Sequence, residues 1–203
     1  MIANLICSSI RLLCGAAARW TGCRPDDRPR VFFANHSSHL DFLLLWSALP
    51  EPVRRRTRPI AAADYWLAGP LRRFLIRRVF HAVLVDRRGI TRENNPLPQM
   101  IDTVRQGGSL ILFPSGTRSR DGQVLPFKAS LYHLRRRLPG VEFIPVYLDN
   151  LNRILPKGEF LPVPLLSSVS FGAPLELLAG ETRRDFLERA RRAVLAAGGR
   201  ETT

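Results

Sequence analysis

Residues 30–49 read RVFFANHSSHLDFLLLWSAL, and they contain one complete structural unit. Arg30 to Ala34 is a short run of large apolar and β-branched residues, which predicts a buried strand. His39 to Leu49 is apolar without interruption and ends at Pro50, which predicts a buried helix. The polar segment NHSSHLD joins the two. In an α/β sheet, the carboxyl end of a strand is where sites are built.

The same alternation continues along the chain. Ser109 to Phe113 (SLILF) predicts a second buried strand, with weaker candidates at Pro59 to Ala63 and Ala82 to Val85. Glu142 to Leu148 (EFIPVYL) and Ser167 to Phe171 add two more. Tyr65 to Phe80 mixes aromatics with Arg72, Arg73, Arg77 and Arg78, as a basic amphipathic helix would. Pro96 to Arg105 predicts a helix that stops at Gly107-Gly108; Ala129 to Leu138 and Glu181 to Ala197 predict two more. Strands alternating with helices imply an α/β fold: a single domain with a mostly parallel or mixed central sheet flanked by helices. The chain is 203 residues long, enough for one good core, and its 16 prolines are scattered as turn and strand-end residues, not gathered into a linker.

The amino terminus reads MIANLICSSIRLLCGAAARW. Ile2, Ile6, Ile10, Leu13, Ala17 and Trp20 recur at helical spacing, with Asn4, Ser8, Arg11, Gly15 and Arg19 opposite. Arg11 interrupts the apolar run, which makes it short for a membrane span, and no basic leading region marks it as a secretory signal. Two readings fit: a short amphipathic helix in the bilayer interface, or a helix packed on its own domain. The expected organisation is residues 1–22 as the membrane-surface helix and 23–203 as the main domain.

Lys and Arg total 31 against 17 Asp and Glu, a formal charge of +14. Lys128 and Lys157 are the only lysines, so arginine supplies nearly all of the excess. Arginine's planar fork of donors suits phosphate, and a basic surface suggests lipid head groups, nucleic acid or a phosphorylated substrate. The aromatics lie mostly in apolar strands and helices, which argues against nucleic acid. Three cysteines, Cys7, Cys14 and Cys23, are too few for a disulfide framework and imply a reducing compartment.

Two constellations carry chemistry. In the first, His36 falls on the strand-to-helix loop and Asp41 in the first helical turn. The carboxylate can hold one imidazole nitrogen and leave the other as a general base. The competing reading is structural: Ser38-His39-Leu40-Asp41 also matches a capping box. A metal cluster of His36, His39 and Asp41 is a third reading, short of ligands because only His81 and His133 remain. In the second constellation, FPSGTRSRDG follows the strand SLILF. Gly116 permits a tight turn, Thr117, Ser119 and the loop amides offer donors, and Arg118 and Arg120 offer cationic forks. A solvated polar turn reads from the same residues.

Together these blocks resemble the glycerolipid acyltransferase family, which includes the 1-acylglycerol-3-phosphate acyltransferases. Members carry Asn-His-x-x-x-x-Asp, here Asn35, His36 and Asp41, with Ser38 also as usual. Further along they carry Phe-Pro-Glu-Gly-Thr-Arg-Ser, here Phe113 to Ser119 with Ser115 in place of the Glu. A strand ending in arginine lies between them, matched by Val83 to Arg87, and a later Pro-Val step is matched by Pro145-Val146. The four blocks fall in order over about residues 31–150.

The resemblance implies an acyl transfer in which His36 takes the acceptor hydroxyl's proton and Asp41 orients His36. Asn35, Ser38, Arg87, Ser115, Gly116, Thr117 and Arg118 are the implied substrate-binding residues, with Arg87, Gly116 and Arg118 on the acceptor phosphate. The implied donor is acyl-CoA or an acyl carrier protein, with no metal and no organic cofactor. The implied acceptor is a lysophospholipid, first of all 1-acylglycerol-3-phosphate, and Ser115 leaves another lysolipid open. The place is the cytoplasmic face of the cell membrane, peripherally bound to an anionic surface, with no nucleic-acid partner. The reading from another class is a non-catalytic protein that binds anionic lipid or nucleic acid through its arginines.

Overall fold

In the computed structural model, which describes residues 2–14, 17–38, 40–86, 94–149 and 167–200, the strand of residues 30–34 lies in the middle of the sheet. Among the described residues seven strands form that sheet: β1 (Ala17–Trp20), β2 (Arg30–Ala34), β3 (Thr57–Ala62), β4 (Val83–Val85), β5 (Ser109–Leu112), β6 (Glu142–Asp149) and β7 (Ser168–Phe171), in the order β1-β7-β6-β2-β5-β3-β4. β2 pairs in parallel with both β5 and β6, and β3 in parallel with β5 and β4. β7 runs antiparallel to β6 and parallel to β1, so the two strands at that edge point the other way. The sheet is mixed and mostly parallel, as the alternation of elements predicts.

The pleat explains why the strand sequences are apolar throughout. Successive side chains point to opposite faces, and helices cover both. Phe32 and Ala34 of β2, Ile111 of β5, and Ile144 and Val146 of β6 enter one core. Val31, Phe33, Leu110, Leu112 and Phe143 enter the other. The first core is covered by α2 (Asp41–Ala48), with Leu44, Leu45 and Trp46 buried, and by α1 (Ile2–Cys14) through Cys7 and Ile10. The second is covered by α6 (Leu97–Arg105), α7 (Ser130–Arg137) and α8 (Arg183–Ala197). α8 buries Phe186, Ala190 and Val194 at four-residue spacing. Each fully buried Phe, Leu or Ile contributes roughly 1.5–3 kcal/mol against chain entropy.

Three elements differ from the sequence expectation. The amino-terminal helix does not run through residues 1–22: α1 ends at Cys14, and Ala17–Trp20 form an edge strand. Trp20 stacks on Phe171 with centroids 3.8 Å apart. The helical spacing of Ala17 and Trp20 was coincidental; pairing with β7 outweighs it. Second, Tyr65 to Phe80 is not one helix. It is a helical turn, α4 (Ala63–Trp66), then α5 (Pro70–Phe74), then a π-helical turn over Leu75–Val79. Pro70 starts a new helix and forces Gly69 to extended backbone (φ −154°). Third, a short helix α3 (Glu51–Arg56) follows Pro50, with Pro52 in its first turn.

Candidate active site

The order of strands brings the two constellations together. β5 lies beside β2, so the loops that leave their carboxyl ends are neighbours although far apart in sequence. A direct hydrogen bond joins them: the Ser119 N–H donates to the His36 carbonyl at 2.7 Å. The Phe113 ring, just past β5, stacks on the His36 imidazole at 4.4 Å and 22°. The base candidate is therefore held from the anion loop as well as from its own helix.

His36 Nδ1 lies 2.6 Å from Asp41 Oδ2. A carboxylate can only accept, so the ring proton sits on Nδ1 and the lone pair on Nε2. No protein partner occupies Nε2 among the described residues, and the His36 side chain is 23% exposed. Asp41 is fully buried. Its Oδ2 also accepts the N–H groups of Ser37 at 2.6 Å and Ser38 at 2.9 Å. The capping-box reading is thus realised in part, because the Ser38 N–H does reach Asp41. The same oxygen nevertheless fixes the imidazole. The helix itself has Leu40 at its N-cap and no side-chain cap.

The remaining candidates divide by what their side chains already do. Asn35 is buried, and its amide is spent on Leu148: Nδ2 donates to the carbonyl at 2.9 Å and Oδ1 accepts the N–H at 2.8 Å. Asn35 thereby clips the end of β2 to β6. Ser38 is likewise fully buried, its Oγ accepting the Leu40 N–H. Ser115 is buried and donates its hydroxyl to the Thr117 carbonyl at 2.9 Å, which tightens the anion loop. Gly116 is exposed and left-handed (φ +69°), a conformation that favours glycine. Thr117 is exposed beside it. Arg87 and His39 lie outside the described residues.

Arg118 lines the same cavity as His36, a space of about 140 Å³ walled by Phe42, Trp66, Ile76 and Phe113. One of its guanidinium nitrogens, Nη1, is buried with no hydrogen-bond acceptor. A cation with an unmet donor, a base and an apolar wall together suit an amphiphile with an anionic end. At the loop's far end Asp121 accepts from the Ser119 hydroxyl and the Gln123 amide, which hold its carboxyl below the usual range. Two contributors escaped the sequence reading. Phe113 reads in the sequence as a strand end and the first residue of the second family block, with no role at His36. The Lys128 ammonium sits over Gly116, where a Cβ would lie 2.8 Å from Nζ. Its rarity in an arginine-rich chain was the available clue. Among the described residues no three His, Cys, Asp or Glu side chains are gathered as metal ligands would be.

A parallel strand delivers a His–Asp pair to a glycine-turned, arginine-bearing loop in an α/β fold, and the chain belongs to the Acyltransferase family, whose sequence pattern matches residues 21–149. Human 1-acyl-sn-glycerol-3-phosphate acyltransferase alpha is 27% identical over 158 residues, covering 73% of this chain and 51% of that protein. The enzyme of that name from Escherichia coli (strain K12) is 28% identical over 137 residues, 61% of this chain and 51% of that protein. This chain thus spans about half the length of the curated relatives it matches. The crystal structure of the 1-acyl-sn-glycerophosphate (LPA) acyltransferase PlsC from Thermotoga maritima covers all of this chain and 80% of its own, with a TM-score of 0.75 at 23% identity, a likeness of fold.

Proposed function

We propose that the chain transfers a fatty acyl group from a thioester donor to the free hydroxyl of a lysophospholipid, most simply 1-acylglycerol-3-phosphate. The observation that carries the reading is the His36–Asp41 pair at 2.6 Å tied directly to the anion loop through Ser119. His36 Nε2 takes the hydroxyl proton as the oxygen attacks the thioester carbonyl carbon. The C–O bond forms, the C–S bond breaks, and the imidazolium returns the proton to the departing thiolate. Asp41 stabilises the imidazolium between those steps. Arg118 meets the acceptor phosphate with its unpartnered nitrogen, beside the Gly116 turn and Lys128. The names of the relatives support this acceptor. Acyl-CoA or an acyl carrier protein as donor would place the reaction at the cytoplasmic face. The exposed Ile2, Leu5 and Leu12 of α1 support work at a bilayer surface. Among the described residues no helix is long and apolar enough to cross a membrane.

The direct test is transfer of a radiolabelled acyl group to a panel of lysophospholipids. Product from lysophosphatidic acid supports the reading; no product from any lysolipid with either donor class rejects it. Within that panel, Arg118→Ala should raise the acceptor's KM on the order of ten- to a hundredfold, the loss of a charge-assisted hydrogen bond. Arg118→Lys should fall between, because it keeps the charge without the fork. The donor's KM should hardly move. If Arg118→Ala leaves the acceptor's KM alone, the phosphate does not bind there.

Ser115 decides between acceptors. Its hydroxyl faces inward to Thr117, so a carboxylate at this position has to turn toward the acceptor. Ser115→Glu should increase transfer to lysophosphatidic acid if the relatives' usual Glu is an acceptor contact. A decrease there, with another lysolipid acylated well by wild type, would show that Ser115 serves a different acceptor.

A further inference from the structure

A second and larger cavity opens on the same face of the sheet, at the opposite end of β3. Its volume is about 510 Å³. Thr57 and Arg58, at the start of β3, line it, whereas Pro59 to Ala62 line the cavity beside His36, and the two share no lining residue. What lies here is therefore separate from the acceptor bound for reaction.

Its chemistry is specific in three independent ways. Four arginines and one carboxylate, Glu51, line it; Arg54 is taken up by the Leu49 carbonyl and the Asn4 side chain, which leaves Arg55, Arg58 and Arg78. Arg55 pairs with that carboxylate and Arg58 reaches only the His81 carbonyl, while no carboxylate pairs with Arg78 among the described residues. Trp46, 3% exposed, forms part of the wall, and its indole N–H has no acceptor. Finally, the cavity is flanked by side chains that ordinarily avoid water. Ile2 (48% exposed) from α1 and Phe74 (45%) from α5 line it, and beyond them stand Leu5 at 69% and Leu71 at 68%. The other strongly exposed apolar side chain of α1, Leu12, is 86% exposed.

A soluble anion would satisfy the cations and leave these apolar lips in water. A phospholipid in a bilayer satisfies both, with its phosphate among the arginines and the lips in the interface. We propose that this cavity is a head-group site by which the protein docks on an anionic phospholipid bilayer, with α1 and α5 as the two prongs that enter the interface. The proposal rests on the membrane-surface part of the reading above and goes beyond it by assigning the site. It does not depend on the role of His36.

The test is sedimentation of the full chain with vesicles of phosphatidylcholine, with and without phosphatidylglycerol. Wild type should partition strongly only onto the mixed vesicles. The pair Arg55→Gln with Arg78→Gln should weaken that partition by about tenfold or more. Leu71→Ser with Phe74→Ser should weaken it comparably. All four side chains are exposed, so unchanged thermal unfolding is expected for both pairs. The pair Arg183→Gln with Arg184→Gln removes the same charge from exposed positions on α8, across the sheet, and should cost no more than about twofold. If both arginine pairs weaken binding equally, docking is diffuse attraction to net charge and the site is overturned. Binding of inorganic phosphate by calorimetry without vesicle binding would overturn it in favour of a soluble anion. Wild type that fails to bind either vesicle would remove the membrane-surface reading as well, whereas acyl transfer in detergent would stand or fall separately.

Discussion

His36→Ala is expected to cut turnover by a factor on the order of 10² to 10⁴ while the protein stays folded. The reason is that His36 and Arg118 line one cavity, with no second histidine among the residues that line it. The fold tolerates the change because the loop contact to Ser119 uses the His36 carbonyl, which alanine retains. Asp41 loses one of three donors and keeps the Ser37 and Ser38 amides. Stability should fall by roughly 1–3 kcal/mol, with a further small loss from the Phe113 stack. Turnover measured well below the thermal transition separates the two effects. Near-normal turnover in folded His36→Ala protein would reject the base.

Asp41→Asn is the second large effect, and its stability cost follows from the geometry. From sequence, the change looks harmless to the helix, since Asn caps about as well as Asp. The buried carboxylate is more demanding. Oδ2 holds three donors, more than an amide oxygen accepts well, and Oδ1 is buried without any donor. Placing NH₂ at that second position buries a donor with no acceptor, at a cost of about 1–3 kcal/mol. Turnover should fall on the order of a hundredfold or more besides, because the imidazolium loses its counter-charge and the ring its fixed tautomer. The checks are thermal unfolding and kcat at a temperature where both proteins are folded. A kcat loss of a few-fold that merely tracks the unfolded fraction would make Asp41 a structural residue only.

The two blocks and the strands that carry them were legible because each is local. A run such as Val31-Phe32-Phe33 or Leu110-Ile111-Leu112 is apolar at every position only when helices cover both faces, so the parallel sheet followed from composition over a few residues. The His36–Asp41 pair was legible for a similar reason: a loop and one helical turn fix it. What could not be read depends on contacts between distant segments. Trp20 sits at helical spacing from Ala17, and only Phe171 makes it a strand residue. Asn35 looks like a substrate ligand in its motif, yet its amide oxygen and nitrogen both bond to the Leu148 backbone, far away in sequence. Phe113 and Lys128 acquire their places only when the second loop folds over the first. The family resemblance supplied the order of blocks and the roles; it could not say that Ser115 turns inward.

The strand at Ala17–Trp20 makes the amino-terminal segment something other than a detachable anchor. Its partner β7 is otherwise an edge, with Val169 and Phe171 entering the core below it. Removing residues 1–20 to liberate the protein from vesicles would bare the backbone of Ser168–Phe171, an open template for pairing with another chain. A truncation that begins at Ala17 keeps the edge closed; it removes Cys7 and Ile10 with α1 and uncovers the core surface that they cover. The boundary at which the chain can be cut is therefore set by protection against self-association, and it falls between α1 and β1.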